Sequence, residues 1–137
     1  MKKNHIKICI GRIFSFTDKS QKKPFVIPSI INKLKKNKSK NITLQNLNHY
    51  RDFISTRNII KVIFKLYKSK STGVFNIGSG QKINLKNIAL LLGKKYKKNI
   101  TFLDNKYPSY LISDNKKIIK KKIKFKHFRN NLDFFYK

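Results

Sequence analysis

The sequence predicts an α/β fold, and three observations support that class. Short runs rich in Ile and Phe alternate with segments whose apolar residues recur at helical spacing. Glycine turns and polar loops separate these segments. The chain has 137 residues, of which 39% are hydrophobic and 12% aromatic, so one domain with a buried core is expected.

The first half is predicted to contain a strand over 6–16, a helix that begins near Pro28, and short strands at 41–44 and 50–54. Proline suits the first helical turn because the N–H that it lacks has no partner there. The apolar face of this helix is predicted to comprise Ile27, Ile30, Ile31 and Leu34.

The next unit is predicted to be a helix capped by Ser55 or Thr56, followed by a strand at 74–77. A third helix begins at about Asn84 and precedes a strand at 100–103. The predicted buried faces comprise Ile59, Ile60, Ile63, Phe64 and Tyr67 on the first helix, and Leu85, Ile88, Ala89, Leu92 and Tyr96 on the second.

The C-terminal part is predicted to hold a last basic helix, capped by Asp114, and a docked aromatic turn or helix at 132–136. The apolar residues of that basic helix are Ile118, Ile119 and Ile123.

The formal net charge of +29 permits binding to nucleic acid or anionic lipid. Lys, Asn and Ile dominate, Glu is absent and four residues are Arg, which is typical of an AT-rich genome. A nucleic-acid reader typically uses Arg. Codon bias therefore explains most of the charge, but the basic runs 33–40, 94–98 and 116–126 leave non-specific nucleic-acid binding as the alternative function.

Several other classes of function lack support. The three His residues are far apart and the single Cys9, predicted to be buried, has no partner at ligand spacing, so no metal site is expected. No apolar run approaches the roughly 20 residues of a membrane span, and Lys7 and Arg12 interrupt any signal-like segment. A cytoplasmic location is expected.

The phrase Gly78-Ser79-Gly80 is predicted to be a tight turn and not a cofactor loop. A dinucleotide fingerprint needs a third glycine three residues later, where Ile83 stands. No Tyr has a Lys four residues further on, no paired carboxylates are evident and Ser79 lacks a Gly-x-Ser-x-Gly setting. No catalytic residue is therefore predicted.

Five phrases in order carry a family resemblance: Arg12-Ile13-Phe14-Ser15-Phe16, Phe25-Val26-Ile27-Pro28, Arg51-Asp52-Phe53-Ile54, the stretch 73–80, and Ser113-Asp114. Together they resemble the C-terminal half of the NAD-dependent epimerase/dehydratase family, the extended short-chain dehydrogenases/reductases. The resemblance implies the last strands of a Rossmann-like parallel sheet plus a small α/β substrate lobe. It also implies one partial domain over 1–137, with the N-terminal Rossmann half missing.

The resemblance implies that Arg51 reaches the diphosphate of a nucleotide-sugar, because a guanidinium fork matches phosphate oxygens. The alternative for Arg51 is an ion pair with Asp52 or another acid. Ser15 stands where the family has an Asn that touches the substrate. Val26 and Leu44 fall at positions where residues of the family line the pocket for the nucleotide base. The alternative is that either is a core residue.

Phe14 and Phe16 fall near the family's nicotinamide pocket, although packing is the simpler role for both. Two departures weaken diphosphate binding. Ser55-Thr56-Arg57-Asn58 replaces the usual His-Val-x-Asp, and a second Arg is absent, with Lys106 the nearest cation.

The predicted function is therefore the nucleotide-sugar-binding portion of an NAD(P)-dependent sugar epimerase, dehydratase or reductase. Alone, the chain is expected to bind no cofactor and to be inactive, as a fragment or as half of a split enzyme. The expected partner is a separate polypeptide that carries the Rossmann half, and NAD or NADP belongs to the complete enzyme.

Overall fold

A computed structural model describes residues 6–104 and 107–125, and this part of the chain forms nine strands and four helices. The predicted α/β class is confirmed. The elements are β1 (Cys9–Ile13), β2 (Phe16–Thr17), α1 (Val26–Lys36), β3 (Asn41–Gln45), β4 (His49–Arg51), β5 (Ile54–Ser55), α2 (Thr56–Lys68), β6 (Gly73–Ile77), β7 (Ile83–Asn84), α3 (Leu85–Lys95), β8 (Asn99–Leu103), β9 (Ser109–Leu111) and α4 (Lys116–Lys120).

Parallel pairing dominates the strands. Two five-residue pairs, β1 with β6 and β3 with β8, run parallel over their full length, and β2 pairs parallel with β5. Strand β4 lies between β7, which is antiparallel, and β9, which is parallel. Because parallel neighbours need a crossover, the helices between these strands lie on the sheet faces.

One hydrophobic core lies between α1, α3 and the β3–β8 pair. Asn84 begins α3 by accepting a hydrogen bond from the Lys86 backbone N–H at 2.8 Å. The buried side chains are Ile27, Ile30, Leu34, Ile42, Leu44, Leu47, Phe53, Ile83, Leu85, Ile88, Ala89 and Leu92.

A second core lies beneath α2 and α4, against β5 and β6. Ser55 is the N-cap of α2, as predicted, and its hydroxyl accepts a hydrogen bond from the Asn58 backbone N–H at 3.3 Å. The buried side chains are Ile54, Ile59, Val62, Leu66, Phe75, Ile77, Ile118 and Ile123.

The predicted buried face of α2 is confirmed for Ile59 and wrong for its other four residues. Ile59, Val62 and Leu66 face the second core. An outer face of four large apolar side chains is exposed by 49–79%. This outer face comprises Ile60, Ile63, Phe64 and Tyr67.

Other boundaries also differ from the predictions. The strand over 6–16 is divided into β1 and β2, and Cys9 is exposed because β1 has no covering layer there. Asn115, not Asp114, precedes α4, although the Asp114 carboxylate accepts from the Lys116 N–H at 3.2 Å. Ile119 is exposed, and the predicted element at 132–136 lies outside the described residues.

Candidate functional site

The carboxylate of Asp52 is the most heavily hydrogen-bonded group near the predicted site. Asp52 is fully buried between β4 and β5, and it therefore divides the predicted strand 50–54. It accepts from the backbone N–H groups of Ser79 at 2.9 Å, Gly80 at 2.8 Å and Ser113 at 3.3 Å. The hydroxyls of Ser79 and Ser113 donate to it as well.

This network excludes the turn 78–80 as a cofactor loop. Its N–H groups at Ser79 and Gly80 already donate to Asp52, so they cannot also cradle a pyrophosphate. Gly78 is required because a Cβ there would collide with the Ser113 side chain and with the Asp52 carboxylate. The residues of this turn do not fit NAD, and any dinucleotide must bind elsewhere in a complete enzyme.

Arg51 points away from Asp52, because successive side chains of a strand alternate between its two sides. Its Nη1 donates to the Tyr50 carbonyl at 2.9 Å, and both Nη1 and Nη2 donate to Ser109 Oγ at 3.1 Å. The alternative in which Arg51 and Asp52 form an ion pair is therefore wrong. Ser109 fixes the guanidinium in place.

His49 completes this cluster on the same side of β4. The Ser109 backbone N–H donates to His49 Nδ1 at 3.1 Å, so the ring proton lies on Nε2. Neither His49 nor Ser109 was among the predicted site residues. The period-two spacing of His49 and Arg51 on one strand was the available signal for His49.

A cleft of about 410 Å³ lies beside this cluster, and we call it the Arg51 cleft. That volume is within the usual range for small-molecule sites. The cleft brings together five of the predicted site residues, namely Phe14, Ser15, Phe16, Val26 and Arg51. Leu44 is not among the lining residues; it is 4% exposed and packs in the first core.

The wall of the Arg51 cleft also contains polar groups that the sequence analysis did not select. Thr17 Oγ1 and Gln21 Oε1 are buried, and neither has a hydrogen-bond partner among the described residues. An unsatisfied buried polar atom costs about 1–3 kcal/mol. Either atom can form a hydrogen bond with a polar ligand or with water.

The described residues hold neither a metal cluster nor a membrane-spanning helix. Within 6–104 and 107–125, no three His, Cys, Asp or Glu side chains are grouped as a metal ion would require. In the same residues, no helix is long and apolar enough to cross a membrane.

Parts of several larger solved structures share this fold. RMD from Pseudomonas aeruginosa, complexed with NADPH, matches with a TM-score of 0.75 at 16% identity, over 94% of this chain and 46% of that chain. dTDP-glucose 4,6-dehydratase from Bacillus anthracis, in complex with NAD, gives 0.71 at 14% identity, over 93% and 41%. UDP-N-acetylglucosamine 4-epimerase from Methanobrevibacter ruminantium, in complex with UDP-N-acetylmuramic acid, gives 0.69 at 19%, over 88% and 41%.

These matches show the fold, which is that of part of a Rossmann-like domain. The profile of the GDP-mannose 4,6 dehydratase family matches residues 1–135, and the chain belongs to that family. The predicted family resemblance is confirmed. The chain spans less than half the length of these solved structures, and no curated protein sequence matches it.

Proposed function

We propose that this chain forms the nucleotide-sugar-binding part of an NAD- or NADP-dependent sugar epimerase, dehydratase or reductase. One observation carries the proposal. The Arg51 guanidinium, held by Ser109, lines a cleft of small-molecule size in a chain of this family. Substrates of this class carry a diphosphate, and a pre-oriented guanidinium is a strong phosphate ligand.

The bonds to Ser109 and Tyr50 occupy Nη1 and one N–H of Nη2. Within the described residues, no bond occupies Nε–H or the second N–H of Nη2. These two donors form the side of the fork that can bind two phosphate oxygens. Because Ser109 already fixes the side chain, a ligand loses little rotamer entropy when it binds.

The rest of the cleft has roles that fit a sugar and a base. Ser15 and Thr17 contribute hydroxyls, and Gln21 contributes an amide. Val26 supplies an apolar wall, and in our proposal the base packs against it. Leu44 is not a base contact in this proposal, because it is covered by the first core.

In the same proposal Phe14 and Phe16, which also line the cleft, pack near the nicotinamide of a cofactor held by another part of the enzyme. NAD or NADP supplies the hydride chemistry when it is bound there. Cytoplasm is the compartment we propose, because the single cysteine is free and exposed.

We further propose that the partner is the Rossmann half, as a separate polypeptide or as more of the same one. Within the described strands, β1 pairs only with β6, and its other edge is unpaired. Beside that edge lies an apolar groove of about 460 Å³ whose lining includes Gly11, Ile63 and Tyr67. A parallel strand added to β1 and a helix packed on α2 would cover both surfaces.

Co-expression with the N-terminal half of a related enzyme tests the proposal. We expect a complex that binds UDP- or dTDP-sugars by calorimetry, whereas this chain alone shows no NAD(P)-dependent turnover of them. Ile63→Asp should weaken the complex, because it places a charge in the groove. Ile119→Asp is the matched control, since Ile119 is similarly exposed, at 58% against 49%, on α4.

Two results would overturn the proposal. One is a chain that is monomeric, cooperatively folded and unable to bind the N-terminal half. The other is a complex that forms but binds no nucleotide-sugar, which would leave the partner assignment intact and remove the substrate assignment.

A further inference from the structure

A second cleft, of about 680 Å³, lies between the loop 18–23, helix α1 and the C-terminal end of α3. We call it the lysine cleft. Of its lining residues, only Gln21 also lines the Arg51 cleft, so the two are separate concavities. Nothing in the proposed function uses the lysine cleft.

Positive charge is concentrated in this cleft beyond the general lysine content. Five of its eleven lining residues are Lys, against 30 of 137 in the chain. Ammonium groups in one concave wall repel each other, and a cleft lined by one sign of charge focuses the potential. An anion bound there would relieve that repulsion. The five are Lys19, Lys22, Lys23, Lys35 and Lys95.

The described carboxylates offset only part of this charge. Asp18 lies in the cleft wall, accepts hydrogen bonds from the N–H and hydroxyl of Ser20 at 3.0 and 2.9 Å, and interacts electrostatically with Lys19. Asp52 is enclosed by its serine network, Asp104 pairs with Lys86 at 2.5 Å, and Asp114 lies 3.8 Å from Lys116. Among the described residues, no ion pair within 4.0 Å involves Lys19, Lys22 or Lys35, so the wall keeps an excess of positive charge that an external anion can balance.

The volume and the apolar lining of the cleft indicate what kind of anion it can hold. Pro28, Ile31 and Tyr96 form an apolar surface among the lysines, and Lys35 Nζ lies 5.9 Å from the Tyr96 ring centroid. The cation–π contact holds one ammonium over the cleft. A cavity of about 680 Å³ suits a small molecule, whereas a nucleic-acid backbone needs an extended basic groove.

We infer that the lysine cleft binds a small molecule that carries two or more adjacent phosphate groups. The ammonium groups of the loop 18–23 and of Lys35 bind the phosphates. Asn32 supplies an amide for a further hydrogen bond, and the surface formed by Ile31 and Tyr96 contacts the remainder of the ligand. This site is additional to the diphosphate contact proposed for Arg51.

Calorimetry with inorganic tripolyphosphate tests the inference on the full chain. The variant Lys19→Gln/Lys22→Gln/Lys35→Gln removes three charges from the lysine cleft. The matched control Lys65→Gln/Lys68→Gln/Lys120→Gln removes three charges from another basic concavity, beside α2 and α4. We expect about a tenfold loss of affinity in the first variant and less than a twofold loss in the control.

Amine acetylation read by mass spectrometry provides a second measurement that needs no variant. Tripolyphosphate should protect Lys19, Lys22 and Lys35 from acetylation more than Lys65 and Lys68. Equal losses in the two triple variants, or uniform protection of all lysines, would show non-specific charge binding and overturn the inference. Tighter binding of single-stranded RNA than of tripolyphosphate at physiological salt would also overturn it.

Discussion

The pairs β3–β8 and β1–β6 have the same length and direction, yet they differ in how they are covered. In β3, Ile42 and Leu44 are buried in alternation with exposed neighbours. In β1 every residue is exposed, including Ile10 at 50% and Ile13 at 46%. A parallel pair is normally buried by its crossover helices. Phe75 and Ile77 of β6 are buried in the second core, so β1 is the incompletely covered strand of its pair.

The difference extends to the outer edges of the β1–β6 pair. On the β6 side, Asn76 Nδ2 donates to the Asp114 carbonyl at 3.0 Å, and Lys117 Nζ donates to the Val74 carbonyl at 3.3 Å. On the β1 side, no described strand pairs with the edge. No described strand pairs with the outer edge of β6 either, so the difference lies in these side-chain bonds, and in our proposal the Rossmann half lies beside β1.

The largest expected effect is the difference in stability loss between a buried residue of the first core and an exposed residue on the outer face of α2. Leu92→Ala, in the closed core and 0% exposed, should cost about 2–5 kcal/mol in the free energy of unfolding. Ile60→Ala, on the outer face of α2 and 62% exposed, should change it by less than about 0.5 kcal/mol. Urea unfolding of the full chain measures both, and equal losses would show that α2 is covered in this chain.

A second prediction concerns Asp52, which links the segment between β4 and β5 to the turn after β6 and to the segment before α4. Asp52→Ala leaves the buried donors of Ser79 and Ser113 without an acceptor, so we expect a loss of about 3 kcal/mol in unfolding free energy. Asp114→Ala, which removes an exposed carboxylate, is the control and should have little effect. If Asp52→Ala were as mild as the control, the network would not hold these three segments together.

Arg51→Ala tests the Arg51 cleft in the co-expressed complex. Loss of a charged hydrogen bond should weaken nucleotide-sugar binding by about 1.5–3 kcal/mol in calorimetry. Arg57→Ala removes the same charge from the exposed surface of α2 and should leave the affinity unchanged. Equal weakening by the two variants would assign the effect to net charge.

The smallest effect is expected in the loop outside both strand pairs. Hydrogen bonds from the Ser20 N–H and hydroxyl lower the pKa of the exposed Asp18 carboxyl. Ser20→Ala removes one of them, so NMR titration should show a higher pKa for Asp18. Because the folded pKa is lowered, the stabilisation is present at neutral pH and is lost as the pH falls through that pKa. An unchanged pKa would show that the hydroxyl does not contribute.

Local patterns in the sequence predicted the class, most elements and the family. The strand at 41–44 and the Ser55 cap each depend on near neighbours, and the structure confirms them. The rotation of α2 and the exposure of Cys9 were not predictable in this way, because the sequence pattern assumes a covering layer that the described residues do not provide.

The site residues illustrate the same limit. Five of the six predicted site residues line one cleft, because the fold brings together the family phrases that contain them. Ser109 could not be selected, because it is separated from Arg51 by 58 positions and lies in no recognised phrase. Asp52, Ser79 and Ser113 do lie in the family phrases, but the serines are 27 and 61 positions away from Asp52, so local patterns did not reveal their hydrogen bonds.

The reach of Asp52 also has a kinetic consequence. The Asp52 carboxylate accepts hydrogen bonds from backbone N–H groups that lie 27, 28 and 61 positions away along the chain. Such distant contacts form only after long loops have closed, which slows folding. The amides of Ser79, Gly80 and Ser113 should therefore exchange with deuterium as one cooperative unit, protected together or released together.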